Sequence, residues 1–166
     1  MNYGTEFKKY AMSDHNVSSS KLNYYEKQIE NSMTPYILEE REMRATQIDI
    51  FSRLMADRLL WVAGPVNDGM STVVQAQLMF LDSVDKKDIT MHIDSPGGSV
   101  KSGLSMVDVM DYIKSDIRTV NTGMAASMGS VLLGAGTKGK RSSLRHSTTM
   151  LHQSSGGFSG NIQDAE

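Results

Sequence analysis

Apolar residues recur along the chain with two different periods, and each change of period marks a new element. Leu59-Leu60-Trp61-Val62 is a short apolar run stopped by Gly64-Pro65, which predicts a strand over 58–63. Val73, Val74, Ala76, Leu78 and Leu81 return at helical spacing and predict an amphipathic helix over 70–82. Ile89-Thr90-Met91-His92-Ile93 alternates and predicts a strand over 89–93, ended by the turn Pro96-Gly97-Gly98. A helix over 99–113 follows, with Val100, Leu104, Met106, Val107, Met110 and Ile113 on its expected buried side. The remaining pattern predicts a helix over 49–55, a strand over 117–121 and a helix over 127–133. It also predicts short strands over 142–144 and 148–151, and a helix starting at 160–166. Strand and helix alternate, so the expected fold class is α/β with a largely parallel sheet and right-handed crossovers. There is no internal repeat.

The first third of the chain reads differently. Residues 1–32 are rich in Ser, Asn, Lys, Glu and Tyr with little periodicity, which predicts a mobile extension with at most a marginal helix over 22–29. Residues 33–48 are charged after a short apolar start, Tyr36-Ile37-Leu38, and their composition favours a solvated linker. The folded domain is therefore expected over 49–166.

Composition narrows the function. The chain has 166 residues and a formal net charge of −2, which gives no electrostatic footprint for nucleic acid. It contains no cysteine, so disulfides and thiolate metal sites are excluded. His15, His92, His146 and His152 are too scattered to suggest a metal cluster. The polar start lacks the apolar region of a secretory signal, and no stretch approaches the length of a membrane span, so a cytoplasmic protein is expected. Thirteen methionines are many for this length; Met55, Met70, Met79, Met106, Met110, Met124 and Met128 mostly fall in apolar patterns and read as adaptable core filler, with subunit interfaces as the other place for some.

The chemistry concentrates in three segments. Gly123-Met124-Ala125-Ala126-Ser127-Met128-Gly129 sets one serine among small residues at a turn-to-helix junction. A serine hydroxyl becomes a nucleophile when a base removes its proton, and a neutral imidazole suits that task. Met150-Leu151-His152-Gln153 supplies a histidine at the end of an apolar run. Asp94-Ser95-Pro96-Gly97-Gly98-Ser99 supplies a glycine turn whose backbone N–H groups can face an oxyanion. Taken alone, Ser127 could be a helix cap and His152 a satisfied half-buried histidine. His92 has the right chemistry but precedes the glycine turn, and His146 reads as a surface residue. Gly134-Ala135-Gly136-Thr137-Lys138-Gly139-Lys140-Arg141 imitates a dinucleotide or phosphate loop, with Arg141 where a Ser or Thr would be needed. Its context is reversed, with a helix before and a strand after, so its glycines read as a helix C-cap and turn. Lys138 would suit a Ser–Lys protease, but the basic turn reads as solvated.

Together these segments resemble the proteolytic subunit of the ATP-dependent Clp protease. The resemblance starts near Asp49-Ile50-Phe51-Ser52-Arg53-Leu54 and passes through Gly64-Pro65-Val66-Asn67-Asp68, the glycine turn, Ala125-Ala126-Ser127-Met128-Gly129, Gly136-Thr137-Lys138-Gly139-Lys140-Arg141 and Leu151-His152-Gln153. It covers roughly 49–166, and implies a spiral of ββα units of the kind shared with crotonase enzymes. It implies Ser127 as nucleophile, His152 as general base, the N–H groups of Gly98 and Met128 as oxyanion hole, and substrate pairing along Gly97, Gly98, Ser99 and Val100. It implies no metal or organic cofactor, self-association into rings (heptamers and tetradecamers in the family), a hexameric Clp ATPase as partner, and unfolded polypeptides as substrates. The N-terminal extension would be a propeptide, cleaved near Ser32–Met33, and 33–48 would form axial loops. The family's triad aspartate lies beyond Glu166, and neither Asp164 nor Glu166 stands in its place. The fold is therefore expected to lack its C-terminal part, and the chain alone to be impaired in activity and assembly. Two alternatives remain at this stage: a crotonase-type acyl-CoA enzyme and a non-catalytic ring subunit.

Overall fold

The computed structural model describes residues 36–41 and 44–153. The expected helices at 22–29 and 160–166, the processing site, Asp164 and Glu166 lie outside the described residues.

The charged stretch read as a linker is instead an antiparallel pair, β1 (Tyr36–Arg41) and β2 (Arg44–Asp49), in register from Tyr36↔Asp49 to Arg41↔Arg44. The strand formers Tyr36, Ile37, Thr46 and Ile48 are outnumbered there by charged and polar residues, so composition concealed them. Helix α1 (Ile50–Ala56) begins where the Asp49 side chain accepts the Ser52 N–H at 2.9 Å.

The main sheet contains β3 (Leu59–Ala63), β4 (Ile89–Ser95), β5 (Ile117–Ala126), β6 (Arg141–Ser143) and β7 (Thr148–Met150). The pairing order is β3-β4-β5-β6, with β7 also on β5, and every pair is parallel. Parallel strands require crossovers. These are α2 (Asp68–Val84) between β3 and β4, α3 (Val100–Tyr112) between β4 and β5, and α4 (Met128–Gly134) between β5 and β6. The α/β expectation is met.

The core lies between the sheet and these helices. Leu60, Val62, Ile89, Met91, Ile93 and Ile117 face it from the strands, and Val74, Leu78, Met106 and Leu132 from the helices. All five apolar residues predicted to be buried in α2 are buried. The helix starts two residues early because Asn67 caps it, accepting the Met70 N–H at 2.9 Å.

The buried face of α3 differs from the prediction. Val100 and Leu104 are exposed, while Ser102, Gly103, Met106 and Met110 are buried. The small residues turn inward because the Met128 side chain fills the space beside Gly103, where an added Cβ would come within 2.7 Å of three Met128 atoms. Met55, Met70, Met106, Met110 and Met128 are core filler, but Met124 is exposed.

The strands also run further than predicted. β4 continues to Ser95 and β5 to Ala126, across a register shift in which Ile93 pairs with Asn121 but Ser95 pairs with Ala125. That irregularity delivers Ser127 directly from the end of a strand.

Candidate active site

Ser127 occupies the junction between β5 and α4 with φ 51° and ψ −122°, a left-handed conformation rare for a residue with a Cβ. Strain of this kind persists only where the surroundings enforce it. Here the Ser127 N–H donates to the Met150 carbonyl at 2.9 Å, and the Ser127 carbonyl accepts the Ser130 N–H and hydroxyl at 2.9 and 2.6 Å. The serine precedes the first residue of α4 but does not cap it with its side chain. Among the described residues its Oγ has no hydrogen-bond partner, and the capping role weighed from the sequence is not taken up.

The glycine turn packs against this junction. A Cβ added to Gly97, at φ +89°, would lie 2.6 Å from the Ala126 carbonyl oxygen, 2.7 Å from Ser127 Cβ and 2.8 Å from the Met128 nitrogen. Only glycine permits so close an approach. Ser95 pins the turn from below: fully buried, it accepts the Gly97 N–H at 3.1 Å and donates to the Gly64 carbonyl at 2.7 Å. Gly129 lets α4 lie against the same serine, since a Cβ there would be 2.8 Å from the Ser95 carbonyl oxygen.

One edge of the turn is already used. The Val66 N–H donates to the Gly97 carbonyl and the Ser99 N–H to the Val66 carbonyl, both at 2.9 Å. In such a parallel bridge, the N–H and C=O of the intervening Gly98 point to the opposite edge. Gly98 and the first helical residue Met128 both keep backbone N–H groups without a partner among the described residues. Of the four residues expected to pair with substrate, Gly97 and Ser99 spend these backbone groups on Val66, and Val100 is already helical. Ser99 caps α3, accepting the Ser102 N–H at 3.2 Å.

His152 is brought near the serine by strand pairing. β7 runs beside the end of β5, with Ala126 opposite Met150, and His152 follows two residues later. The ring is exposed and makes no hydrogen bond to Ser127 among the described residues. Its Nδ1 lies 2.6 Å from the Gln153 carbonyl oxygen. A carbonyl only accepts, so this contact calls for a proton on Nδ1, and in the neutral ring that leaves Nε2 as the acceptor.

The rejected candidates lie elsewhere. His92 is stacked on Trp61, ring centroids 4.8 Å apart, on adjacent strands. Burial lowers its pKa, and its Nδ1 is buried without a partner among the described residues. The basic turn lies at the far end of the sheet, where the Thr137 N–H donates to the Ile117 carbonyl. β5 has ten residues, so that turn stands about 30 Å from Ser127. Lys138 is exposed, as expected. Lys140 is not merely solvated: it bridges Asp88 at 2.8 Å and Asp116 at 2.7 Å, and its pKa is raised by those carboxylates, Asp116 foremost. The α4 C-cap is Ala135 rather than a glycine.

Sequence reasoning missed the polar residues that hold the site from behind. These are Ser95, Asn121, which is fully buried, and Asp94, whose carboxylate accepts the Met124 N–H at 2.9 Å. The one available signal was a polar residue inside an otherwise apolar strand.

The Clp protease family model matches residues 40–166. The chain belongs to the Clp protease family. It is 49% identical over 162 residues to an ATP-dependent Clp protease proteolytic subunit of Bacteroides fragilis, covering 97% of this chain and 74% of that protein. The corresponding proteins of Bacteroides thetaiotaomicron and Porphyromonas gingivalis are 49% and 48% identical over the same length, and the matches cover 74% and 73% of them. This family's proteolytic subunits are serine endopeptidases, and the chain is a subunit of that kind with the expected α/β fold. Neither the acyl-CoA enzyme nor the non-catalytic subunit finds support in these matches.

Proposed function

We propose that Ser127 is the nucleophile of a serine endopeptidase, with His152 as its general base and the N–H groups of Gly98 and Met128 as its oxyanion hole. The observation that carries this reading is the strained Ser127 packed directly against the glycine turn, its Oγ and the Gly98 N–H both without a hydrogen-bond partner among the described residues. In the reaction His152 Nε2 takes the hydroxyl proton as Oγ attacks the peptide carbonyl. The imidazolium then protonates the leaving amine, and water hydrolyses the acyl-enzyme by the same route. The two N–H groups receive the negative charge of each tetrahedral intermediate. The Nδ1 contact with the Gln153 carbonyl supports the base role, because it leaves Nε2 free to accept the proton.

Extended substrate would add as a strand along the outer edge of Gly98, in the segment Gly97-Gly98-Ser99-Val100. Recognition through backbone groups tolerates varied side chains, which suits unfolded polypeptides. The proposed assembly is a ring chamber fed by a hexameric Clp ATPase, and the proposed setting is the cytoplasm. On this reading the chemistry uses no metal or organic cofactor.

A fluorophosphonate probe tests the reading, with the modified residue located by mass spectrometry. The expected result is modification at Ser127 alone, abolished by Ser127→Ala and strongly slowed by His152→Ala. Modification elsewhere, or persistence in the Ser127→Ala chain, would overturn it.

A further inference from the structure

We propose that Asn121 is a positioning residue for this reaction: its side-chain amide holds the strand that leads to His152 against the strand that leads to Ser127. The inference rests on the roles proposed for those two residues.

The need for such a device arises from the sheet. The outer edge of β5 is shared by two short strands in succession. β6 covers Thr119 to Asn121, β7 covers Met124 to Ala126, and Thr122 and Gly123 pair with neither. On the inner edge the register with β4 shifts over the same stretch. The strand that ends in Ser127 is therefore least supported by pairing at Thr122 and Gly123, directly after Asn121. The β5–β7 pairing covers three residues on each strand, and so short a ladder is marginal without help.

Asn121 stands at this gap and is fully buried. Its Nδ2 donates to the Thr148 carbonyl at 2.9 Å and to Thr149 Oγ1 at 3.1 Å. Its Oδ1 accepts the Gly123 N–H at 3.2 Å. Its main-chain carbonyl accepts the Leu144 N–H at 2.9 Å, where β6 ends. The amide can be oriented in only one way, since the Thr148 carbonyl needs a donor and the Gly123 N–H needs an acceptor. One side chain thus closes the irregular stretch of β5 and fastens the start of β7. At the other end of β7 the Ser127 N–H bonds to the Met150 carbonyl. β7 is held at both ends, and His152 follows directly. An apolar residue would serve the neighbouring core as well, so the buried amide acts on geometry rather than on packing.

Asn121→Val on the full chain tests the proposal at a temperature where circular dichroism finds the variant folded. Peptide hydrolysis and the fluorophosphonate rate at Ser127 should fall about 10- to 100-fold, the scale set by misplacing a reacting group by about 1 Å. KM should stay within about twofold, because Gly98 is untouched. Hydrogen exchange should quicken at Ser127 and across 148–151 but not in β3 or β4. A folded Asn121→Val chain with unchanged labelling rate and unchanged exchange would overturn the proposal. If that variant does not fold, Thr149→Val decides, because it removes one β7 contact from an exposed side chain. A labelling rate lowered about threefold or more supports the inference, and an unchanged rate overturns it. Ser127→Ala, run alongside, separates the two levels. Labelling that survives in that control refutes the assignment of the nucleophile, whereas an unaffected Asn121 variant refutes only the positioning role.

Discussion

Gly97 is the position at which one added methyl group should do most harm to function. Gly64 and Gly97 have nearly the same backbone conformation, φ +82° and +89°. Alanine at either site should therefore cost a similar strain, about 1–3 kcal/mol of stability. Their surroundings differ completely. Nothing lies within 4 Å of a Cβ built on Gly64, whereas on Gly97 it would stand 2.6 to 2.8 Å from Ala126, Ser127 and Met128. Ordinary contact begins at 3.4 Å, so the glycine turn must retreat from the serine by about 0.8 Å. A displacement of that size between the proposed nucleophile and the proposed oxyanion hole is worth roughly 100-fold in rate, or about 2.7 kcal/mol of barrier. The assay is fluorophosphonate labelling of Gly64→Ala and Gly97→Ala beside the unmodified chain, with thermal unfolding of all three. Both variants should melt lower, and only Gly97→Ala should label slowly. A Gly97→Ala chain that labels within twofold of Gly64→Ala would refute the claim that the turn is built around the serine.

Two predictions concern pH. Burial holds the His92 pKa below 6.5, so near and just below that pH the unfolded chain binds more protons than the folded one. Stability should be full above about pH 6.5 and fall as the pH drops through it. His92→Phe keeps a ring against Trp61 and should flatten the dependence of urea midpoints between about pH 7.5 and 5.5; an unchanged slope would exclude His92 as its source. Asp82 tests the opposite sign. Burial alone would raise its pKa, but hydrogen bonds from Lys86, Ser115 and Lys114 outweigh that and lower it. Its contribution is present above 3.8 and is lost as pH falls through the lower folded value. Asp82→Ala leaves the buried Ser115 short of an acceptor and should cost about 1–3 kcal/mol at pH 7. The gap between the two chains should narrow on acidification below about pH 4, and a constant gap would count against the carboxylate.

Periodicity located β3, β4, the first half of β5 and the crossover helices because each buries one face and repeats along it, whereas β6 and β7 are exposed throughout. It failed where burial and pattern part company. The β1–β2 pair is built from a segment whose composition is charged, so its strand formers did not stand out. In α3 the buried face is set by the small residues Ser102 and Gly103, which a search for large apolar side chains passes over. The last five residues of β5 include a glycine and a methionine on an exposed face, and the break in register with β4 removes the simple alternation that would have extended the strand.

The site was legible to the extent that its residues carry conformational demands of their own. Gly97 and Gly98 are glycines because of positive φ and close approach, and Ser127 is recognisable by the small residues that let the chain turn around it. His152 carries no such local mark. Its place depends on β7 joining β5, a pairing between segments 24 residues apart (Met124 with Thr148) that leaves no trace in either one. The sheet supplies what local sequence lacks. In a parallel sheet the loops after the strands gather at one end, and ligand sites form there. The glycine turn leaves β4 at that end, Ser127 leaves β5 there, and His152 leaves β7 there. The basic turn of Lys138 and Lys140 closes the opposite end, where it joins the carboxylates of Asp88 and Asp116 instead. The same topology that gathers the proposed nucleophile, oxyanion donors and base from three separate strands therefore sets Lys138 at the opposite end of the sheet from Ser127, in keeping with its reading as a solvated residue.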